Sequence, residues 1–239
     1  MITNRPLRKA LYLQVRDMLA ERIARREWKP GFVVPNEGEL ARELGVSAGT
    51  VRKALDLMEE GCLVTRRQGK GTFVKDQASD SAVARFNKLR GPNGERVSEA
   101  ARPVDITEGA ASELECGRLG LRAGADVFRV HRLRRVGAQN VLVEEATLPA
   151  ELFPGLCDKR AVCDDISLLA QEYGVLLGKA EERVAIDAAP SAVADRLGVA
   201  SETRLMMLDR VIFMLDGRPV EWRRAYCHLA GGYYVTEMN

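Results

Sequence analysis

The chain has 239 residues, 46% of them hydrophobic, with 36 Lys and Arg against 34 Asp and Glu, which leaves room for a second domain beside a small first one. It holds no run of about eighteen apolar residues and no charged-then-apolar leader, which argues against a membrane span or a secretory signal and predicts a cytoplasmic protein. The charge is uneven: residues 1–75 carry 15 basic and 9 acidic side chains and the remainder 21 and 25, so the basic half is the one suited to phosphate neutralisation.

Leu11, Val15, Leu19 and Ile23 recur every fourth position and predict a first helix with one buried stripe. Lys29, Pro30 and Gly31 interrupt it. Asn36 then opens a short second helix as N-cap, with Glu39 placed to complete a capping box, and Gly45 ends it near Leu44. Ser47 caps a third helix whose Val51, Leu55 and Met58 point inward while Thr50, Arg52 and Lys53 remain outward, and Gly61 closes it. Cys62 to Arg67, Gln68-Gly69-Lys70-Gly71 and Thr72-Phe73-Val74 read as strand, glycine-rich turn and strand. Three helices and a basic hairpin are the layout of a winged helix-turn-helix that places its third helix in the major groove and its wing along the backbone or minor groove. Arg and Lys at these positions also fit plain solvation of helix faces.

Residues Pro6 to Val74 resemble the DNA-binding domain of GntR-family bacterial transcription regulators. The likeness lies in Leu11-Tyr12-Leu13-Gln14-Val15, Pro30-Gly31, Pro35-Asn36-Glu37, Leu40-Ala41, Gly45-Val46-Ser47, Thr50-Val51-Arg52-Lys53-Ala54-Leu55 and Gly69-Lys70-Gly71-Thr72-Phe73-Val74. The resemblance implies that Arg52 contacts a base or phosphate in the groove, that Ser47 and Thr50 anchor phosphates, and that Gly69 leads the wing toward the minor groove. Glu37, Lys53, Arg67 and Lys70 complete the expected DNA-binding set. Gly38 and Ala48 stand where the family usually has Arg, and Asn36 where it usually has Ser.

Asp76, Ser79, Asp80, Ser81, Gly91, Pro92, Asn93 and Gly94 give residues 77–97 the polar, turn-rich composition of a linker, with Phe86 as a docking point. This divides the chain into a winged helix-turn-helix domain at 1–76, a linker at 77–97 and a second domain at 98–239. Beyond it a repeat emerges. Helix-like Ala111 to Leu119 ends in Leu119-Gly120, then come a strand with Arg132, a turn at Gly137 and a strand with Val143-Glu144. Ser191 to Leu197, Gly198, Arg210, Gly217 and Val220-Glu221 repeat the order, with offsets of 78 from Leu119 to Leu197 and from Arg132 to Arg210 and of 77 from Glu144 to Glu221. Two helix-plus-hairpin units side by side predict an antiparallel sheet with packed helices, an α+β domain able to enclose a small ligand. Ile166, Leu169, Tyr173 and Leu176 predict a further helix between them, with Asp165 or Ser167 near its start.

Period-two alternation puts Phe128, Val130, Arg132 and Arg134 on one face and Leu142, Glu144, Ala146 and Leu148 on another, so charges continue faces that begin apolar. Two guanidiniums opposite a carboxylate fit a small anionic, polyhydroxylated or nitrogen-bearing metabolite. The same alternation fits an internal Arg132–Glu144 salt bridge. This half resembles the UTRA effector-binding module of the HutC subfamily of GntR regulators, which shares its fold with chorismate lyase. The likeness runs from about Val83 to Tyr234, through Arg132-Leu133-Arg134, Glu144, Leu148-Pro149, Phe153-Pro154-Gly155-Leu156, Ser167-Leu168, Tyr173-Gly174 and Asp216-Gly217-Arg218-Pro219-Val220-Glu221. It implies an effector pocket lined by Arg132, Arg134, Glu144, Ser167 and Glu221, with Tyr226 as a further contact.

The five cysteines form no Cys-x-x-Cys pair, and His131 and His228 are isolated, so disulfides, a metal site and a cofactor are not expected. The whole reads as a metabolite-responsive regulator, most often a repressor in this family, binding an inverted repeat of duplex DNA as a homodimer. Two alternatives stand beside it: an architectural DNA-binding protein whose second domain only dimerises, and a lyase-like enzyme. The enzyme lacks a recognisable nucleophile–base spacing.

Overall fold

A computed structural model describes residues 9–76, 84–97, 102–136, 139–158, 165–229 and 231–236. The chain forms two compact units, Met1–Gln77 and Ala78–Asn239. Pro6, Ser79, Asp80, Ser81, Val83, Gly137 and Cys163 lie outside the described residues.

The first unit contains α1 (Leu11–Ala24), β1 (Val33–Val34), α2 (Glu37–Leu44), α3 (Ala48–Glu60), β2 (Val64–Arg67) and β3 (Gly71–Val74). Local chemistry sets the boundaries. Asn36 caps α2 in a full capping box with Glu39, Gly45 ends it in the left-handed conformation, and Ser47 caps α3. Leu19, Leu40, Val51, Leu55, Met58 and Leu63 make the core that these helices share. The stripe on α1 departs from expectation at its first position: Leu11 is exposed, while Val15, Leu19 and Ala20 carry the burial. Strand β1 was not anticipated. It pairs with β3 through Val33↔Phe73 and Val34↔Thr72, widening the hairpin to the three-stranded order β1-β3-β2.

The second unit is built on one six-stranded antiparallel sheet, ordered β5-β6-β7-β10-β9-β8. Its elements are β5 (Arg102–Ala110), α4 (Glu113–Leu119), β6 (Asp126–Val136), β7 (Gln139–Pro149), α5 (Ile166–Glu172), β8 (Leu177–Ala188), α6 (Ser191–Leu197), β9 (Arg204–Met214) and β10 (Pro219–Cys227). The sheet order shows the repeat in three dimensions. The units β5-α4-β6-β7 and β8-α6-β9-β10 meet at the β7–β10 pair, so β5, β6 and β7 correspond to β8, β9 and β10. Both helices end in a left-handed glycine, Gly120 and Gly198. Asp165 caps α5 by accepting from the Ser167 N–H.

The segment expected to be a linker is, over residues 84–97, part of this unit. Phe86, Leu89 and Val97 are buried, and Leu89–Arg90 (β4) pairs with Tyr233–Tyr234 (β11). Its polar turn residues dominate the composition, but three apolar side chains suffice to seat it. No helix among the described residues is long and apolar enough to cross a membrane.

Candidate functional site

In the first unit the exposed side chains of α3 and the wing form the candidate nucleic-acid interface. Arg52 projects from the first turns of α3 and is held by Glu37 of α2: Nε and Nη2 donate to Glu37 Oε2 at 2.9 and 2.7 Å, and Nε to Oε1 at 3.2 Å. Lys53 Nζ lies 4.0 Å from the centre of the Tyr12 ring, and the Arg67 guanidinium lies 4.8 Å from that of Phe73. Both cations are thereby positioned without losing exposure. The Thr50 N–H donates to Ser47 Oγ at 3.2 Å, with the two hydroxyls 2.9 Å apart. These oxygens sit at the N-terminus of a 13-residue helix, where orphan N–H groups favour an anion. The wing turns through Gly69 at φ +70, with Lys70 N–H donating to Arg67 O at 2.9 Å, so Arg67, Gly69 and Lys70 share the tip. A side chain at Gly69 would strain this turn. Arg66 serves a different purpose: it pairs with Asp56 and Glu59 and fastens the wing to α3. Gly38 and Ala48 are exposed in the first turns of α2 and α3.

In the second unit, one sheet face carries two apolar clusters with a band of charge between them. The first joins Phe128, Val130, Leu148, Phe153, Leu156, Ile166, Leu169 and Ile212, and the second joins Leu89, Val97, Leu142, Leu208, Ala225 and Cys227. The band is Arg132 and Arg134 on β6, Glu144 on β7, Arg210 on β9, and Glu221 and Arg223 on β10. The β6–β7 register sets Arg132 opposite Glu144, with Val130↔Ala146 and Phe128↔Leu148 following, as alternation predicted. Burial penalises the charged form of Glu144, yet Arg134, Arg223, Arg132 and Arg210 together hold it well below the usual carboxylate range. Arg134 Nη2 donates to Glu144 Oε1 at 3.0 Å, Arg132 Nη1 to the same oxygen at 3.4 Å, and Arg223 Nη1 to Oε2 at 2.8 Å. The Arg132–Glu144 salt bridge thus exists, inside a larger network. Arg210 Nη2 donates to Glu221 Oε1 at 3.0 Å, and Arg223 Nη2 to Glu182 Oε1 at 3.2 Å.

The band surrounds a cavity of about 20 Å³ lined also by Phe86, Asn87, Leu89, Val97, Leu142, Asp165 and Ile166. Several buried polar atoms beside it make no hydrogen bond among the described residues: Ser167 Oγ, Arg210 Nε, Arg223 Nε and Glu221 Oε2. A buried ion network adds little stability compared with apolar packing of the same volume, and unsatisfied polar atoms are rare in native interiors. Both observations point to recognition of a polar small molecule, with guanidiniums for an anionic group and carboxylates for hydroxyl or amine donors. A wider groove of about 770 Å³, lined by Leu119, Arg122, Asp126, Pro149, Arg218 and others, shares no residue with this cluster.

The structure therefore brings Arg132, Arg134, Glu144 and Glu221 to one cavity. Ser167 is buried close by, although Asp165 and Ile166 form the lining at that end. Tyr226 does not join them. Alternation along β10 turns it to the opposite face, where it packs against the cluster of Val143, Ala194, Leu197 and Leu205 under α6. Sequence reasoning missed Arg223, Glu182 and the lining role of residues 86–97. The first had a legible signal, since Arg223 lies two positions after Glu221 and shares its face. Among the described residues no cluster of His, Cys, Asp or Glu has the makings of a metal site, and no disulfide joins the described cysteines.

The UTRA domain model matches residues 99–230, and the model for bacterial regulatory proteins of the gntR family matches residues 11–74. The chain belongs to the GntR family. Among GntR relatives, the mannosyl-D-glycerate transport/metabolism system repressor MngR of Escherichia coli is 29% identical over 219 residues, covering 90% of each chain. The transcriptional repressor NagR of Bacillus subtilis is 26% identical over 219 residues, covering 88% of this chain and 87% of its own. The crystal structure of PhnF from Mycobacterium smegmatis shares the fold, with a TM-score of 0.54 at 24% identity over 94% of this chain and 99% of that one. This GntR protein is a transcriptional regulator of the HutC type: its first unit binds DNA and its UTRA unit binds a small-molecule effector. The enzyme alternative falls with that assignment, since the family and these relatives regulate transcription.

Proposed function

We propose that this regulator represses transcription by binding an inverted repeat as a homodimer in the cytoplasm, and that a small anionic metabolite seated among Arg132, Arg134, Glu144 and Glu221 releases it. Arg52 reads a base edge, oriented by Glu37, while Ser47, Thr50, Lys53, Arg67 and Lys70 bind phosphates and Gly69 lets the wing approach the minor groove. Ser167 supports the effector site from α5. No cofactor besides the effector enters this reading. The observation that carries it is the buried arginine–glutamate band around a small cavity, a costly interior unless something polar is recognised there. The name of MngR points to a glycosylated hydroxy acid as one chemistry of this class; the carboxylate and hydroxyls of such a molecule match the donors and acceptors of the band.

Dimerisation is supported by β8, the long edge of the sheet, which exposes Val184 and Ile186. An edge strand with an open side and two exposed apolar side chains can pair with a second copy. The test is fluorescence anisotropy with DNA from upstream of the gene, followed by titration of sugar acids and phosphosugars and by thermal shift in the same panel. Operator binding relieved by one compound that also raises the melting temperature supports the proposal. Failure to bind any upstream fragment at low ionic strength overturns it.

A further inference from the structure

The cavity is far smaller than a metabolite needs. About 20 Å³ holds one water, whereas small-molecule sites run to about 300–1,000 Å³. Something must move for an effector to enter. Most of the wall is rigid: Arg132, Arg134, Glu144, Arg210, Glu221 and Arg223 stand on four hydrogen-bonded strands of the sheet. The rest is residues 86–97 and the start of α5. Residues 86–97 are the weaker wall, because β4 has only two residues, paired with the two-residue β11 and, through Arg90, with Arg96 of the same segment.

Beside the backbone pairing with β11, two polar ties run from that wall into the charge band. Arg210 Nη1 donates to the main-chain oxygen of Phe86, with the Phe86 ring 5.7 Å from the guanidinium. Tyr234, on β11, donates its hydroxyl to Glu182 Oε2 at 2.7 Å, and Glu182 in turn accepts from Arg223. Asn87 closes the segment on itself, its amide donating to Val97 O at 3.0 Å. Arg210 is buried, with Nε making no hydrogen bond among the described residues. It occupies in the second repeat the position that Arg132 occupies in the first, and the β9–β10 register sets Arg223 opposite it where β7 has Glu144 opposite Arg132, with Glu221 opposite Ile212 on the same face.

We infer that Arg210, with Glu221 and Arg223, is a second binding half-site of the effector cavity, and that Arg210 also latches residues 86–97 over it through the Phe86 carbonyl. An anionic group of the effector replaces that carbonyl as acceptor, so the ligand opens its own pocket by taking Arg210 from the latch. An ionised acceptor is the stronger partner for a guanidinium than a neutral carbonyl, which gives the exchange its direction. The chain leaves the DNA-binding unit at Gln77 and reaches Phe86 within a few residues, so the latch controls how that connection is anchored. This inference rests on the effector site proposed above.

Hydrogen exchange by mass spectrometry on the full-length protein tests it, comparing Arg210→Lys and Tyr234→Phe with the parent. Lys keeps a charge opposite Glu221, and its single ammonium lacks the fork that serves Glu221 and Phe86 together. The expected result is exchange faster by about tenfold or more over residues 86–97 in Arg210→Lys, a smaller rise in Tyr234→Phe, and unchanged protection of β6 and β7. Unchanged exchange over 86–97 in both variants overturns the latch, as does a rise spread evenly over the whole sheet. Titrating the parent with millimolar inorganic phosphate separates the two readings. Phosphate that alters β6, β7 and residues 86–97 together supports both. Phosphate that alters β6 and β7 but leaves 86–97 as before removes the latch and keeps the site. Phosphate that alters neither counts against the anion site, and the Arg210→Lys comparison still decides the latch.

Discussion

Glu37 and Arg52 stand 15 positions apart on successive helices and meet in an ion pair of three contacts at 2.7 to 3.2 Å, so the side chain proposed to meet DNA is oriented without it. Pre-orientation lowers the entropy lost when Arg52 engages a base edge. Arg52→Ala is expected to cost about 1–3 kcal/mol on the operator and much less on scrambled duplex. Glu37→Gln removes a negative charge from the interface, which strengthens binding to any phosphate backbone while blunting discrimination. Anisotropy on both duplexes at two salt concentrations separates these effects; an equal loss on both duplexes for Arg52→Ala makes it a phosphate contact.

Glu144 is the hub of the second unit, shared by Arg132, Arg134 and Arg223. Glu144→Gln leaves those guanidiniums short of a counter-charge in the interior and is expected to destabilise the unit by about 3–5 kcal/mol, read by urea unfolding. Arg134 lies at the edge of the band, with its side chain 11% exposed. Arg134→Ala is therefore expected to fold, bind operator as the parent does, and lose release by the effector. Normal release in that variant places the effector elsewhere.

How far these features were legible varies with their range in sequence. Asn36, Gly45, Ser47 and Gly120 act on neighbours a few positions away, and the helix ends they mark are where the structure has them. The repeat was visible because Leu119-Gly120 and Leu197-Gly198 end helices in register, and the Arg132–Glu144 pairing followed from alternation across a short hairpin. Tyr226 was misplaced although the same alternation applies, since Glu221 and Tyr226 differ in parity along β10. Residues 86–97 escaped for a different reason: their packing depends on Arg210 and Tyr234, more than a hundred positions away, and their composition resembles a turn. Nothing local in Glu182, on an edge strand, signals that it joins Arg223 and Tyr234.

An acid limb in stability is expected from Glu115. Burial pushes its carboxyl up, but the guanidinium of Arg129, at 2.7 Å, and the Ser112 N–H and hydroxyl outweigh that and bring it down to about 2. A carboxylate whose value is lowered by folding stabilises above its ordinary value of 4.5, and that contribution disappears as pH falls toward about 2. Glu115→Gln is expected to cost about 1–3 kcal/mol at neutral pH, with the gap from the parent closing across that window. Denaturant midpoints measured at several pH values check it, and a gap independent of pH assigns the effect to the helix cap alone.

The edge strand β8 carries the proposed dimer contact. Glu182, Val184 and Ile186 share one face of this 12-residue edge strand, whose other side pairs with β9, and Val184 and Ile186 are 45% and 62% exposed. Exposed edges of this length are usually blunted by charge or covered, and covering by a second copy gives the two-fold symmetry that an inverted repeat requires. Ile186→Lys places a charge at an exposed position outside the buried core. The variant is expected to fold, to run as a monomer in light scattering, and to bind operator about a hundredfold or more weakly, because each winged domain then binds without the effective concentration supplied by its partner. A variant that stays dimeric at the parent's affinity moves the interface to another surface. One that becomes monomeric yet keeps operator affinity removes the link between dimerisation and the inverted repeat.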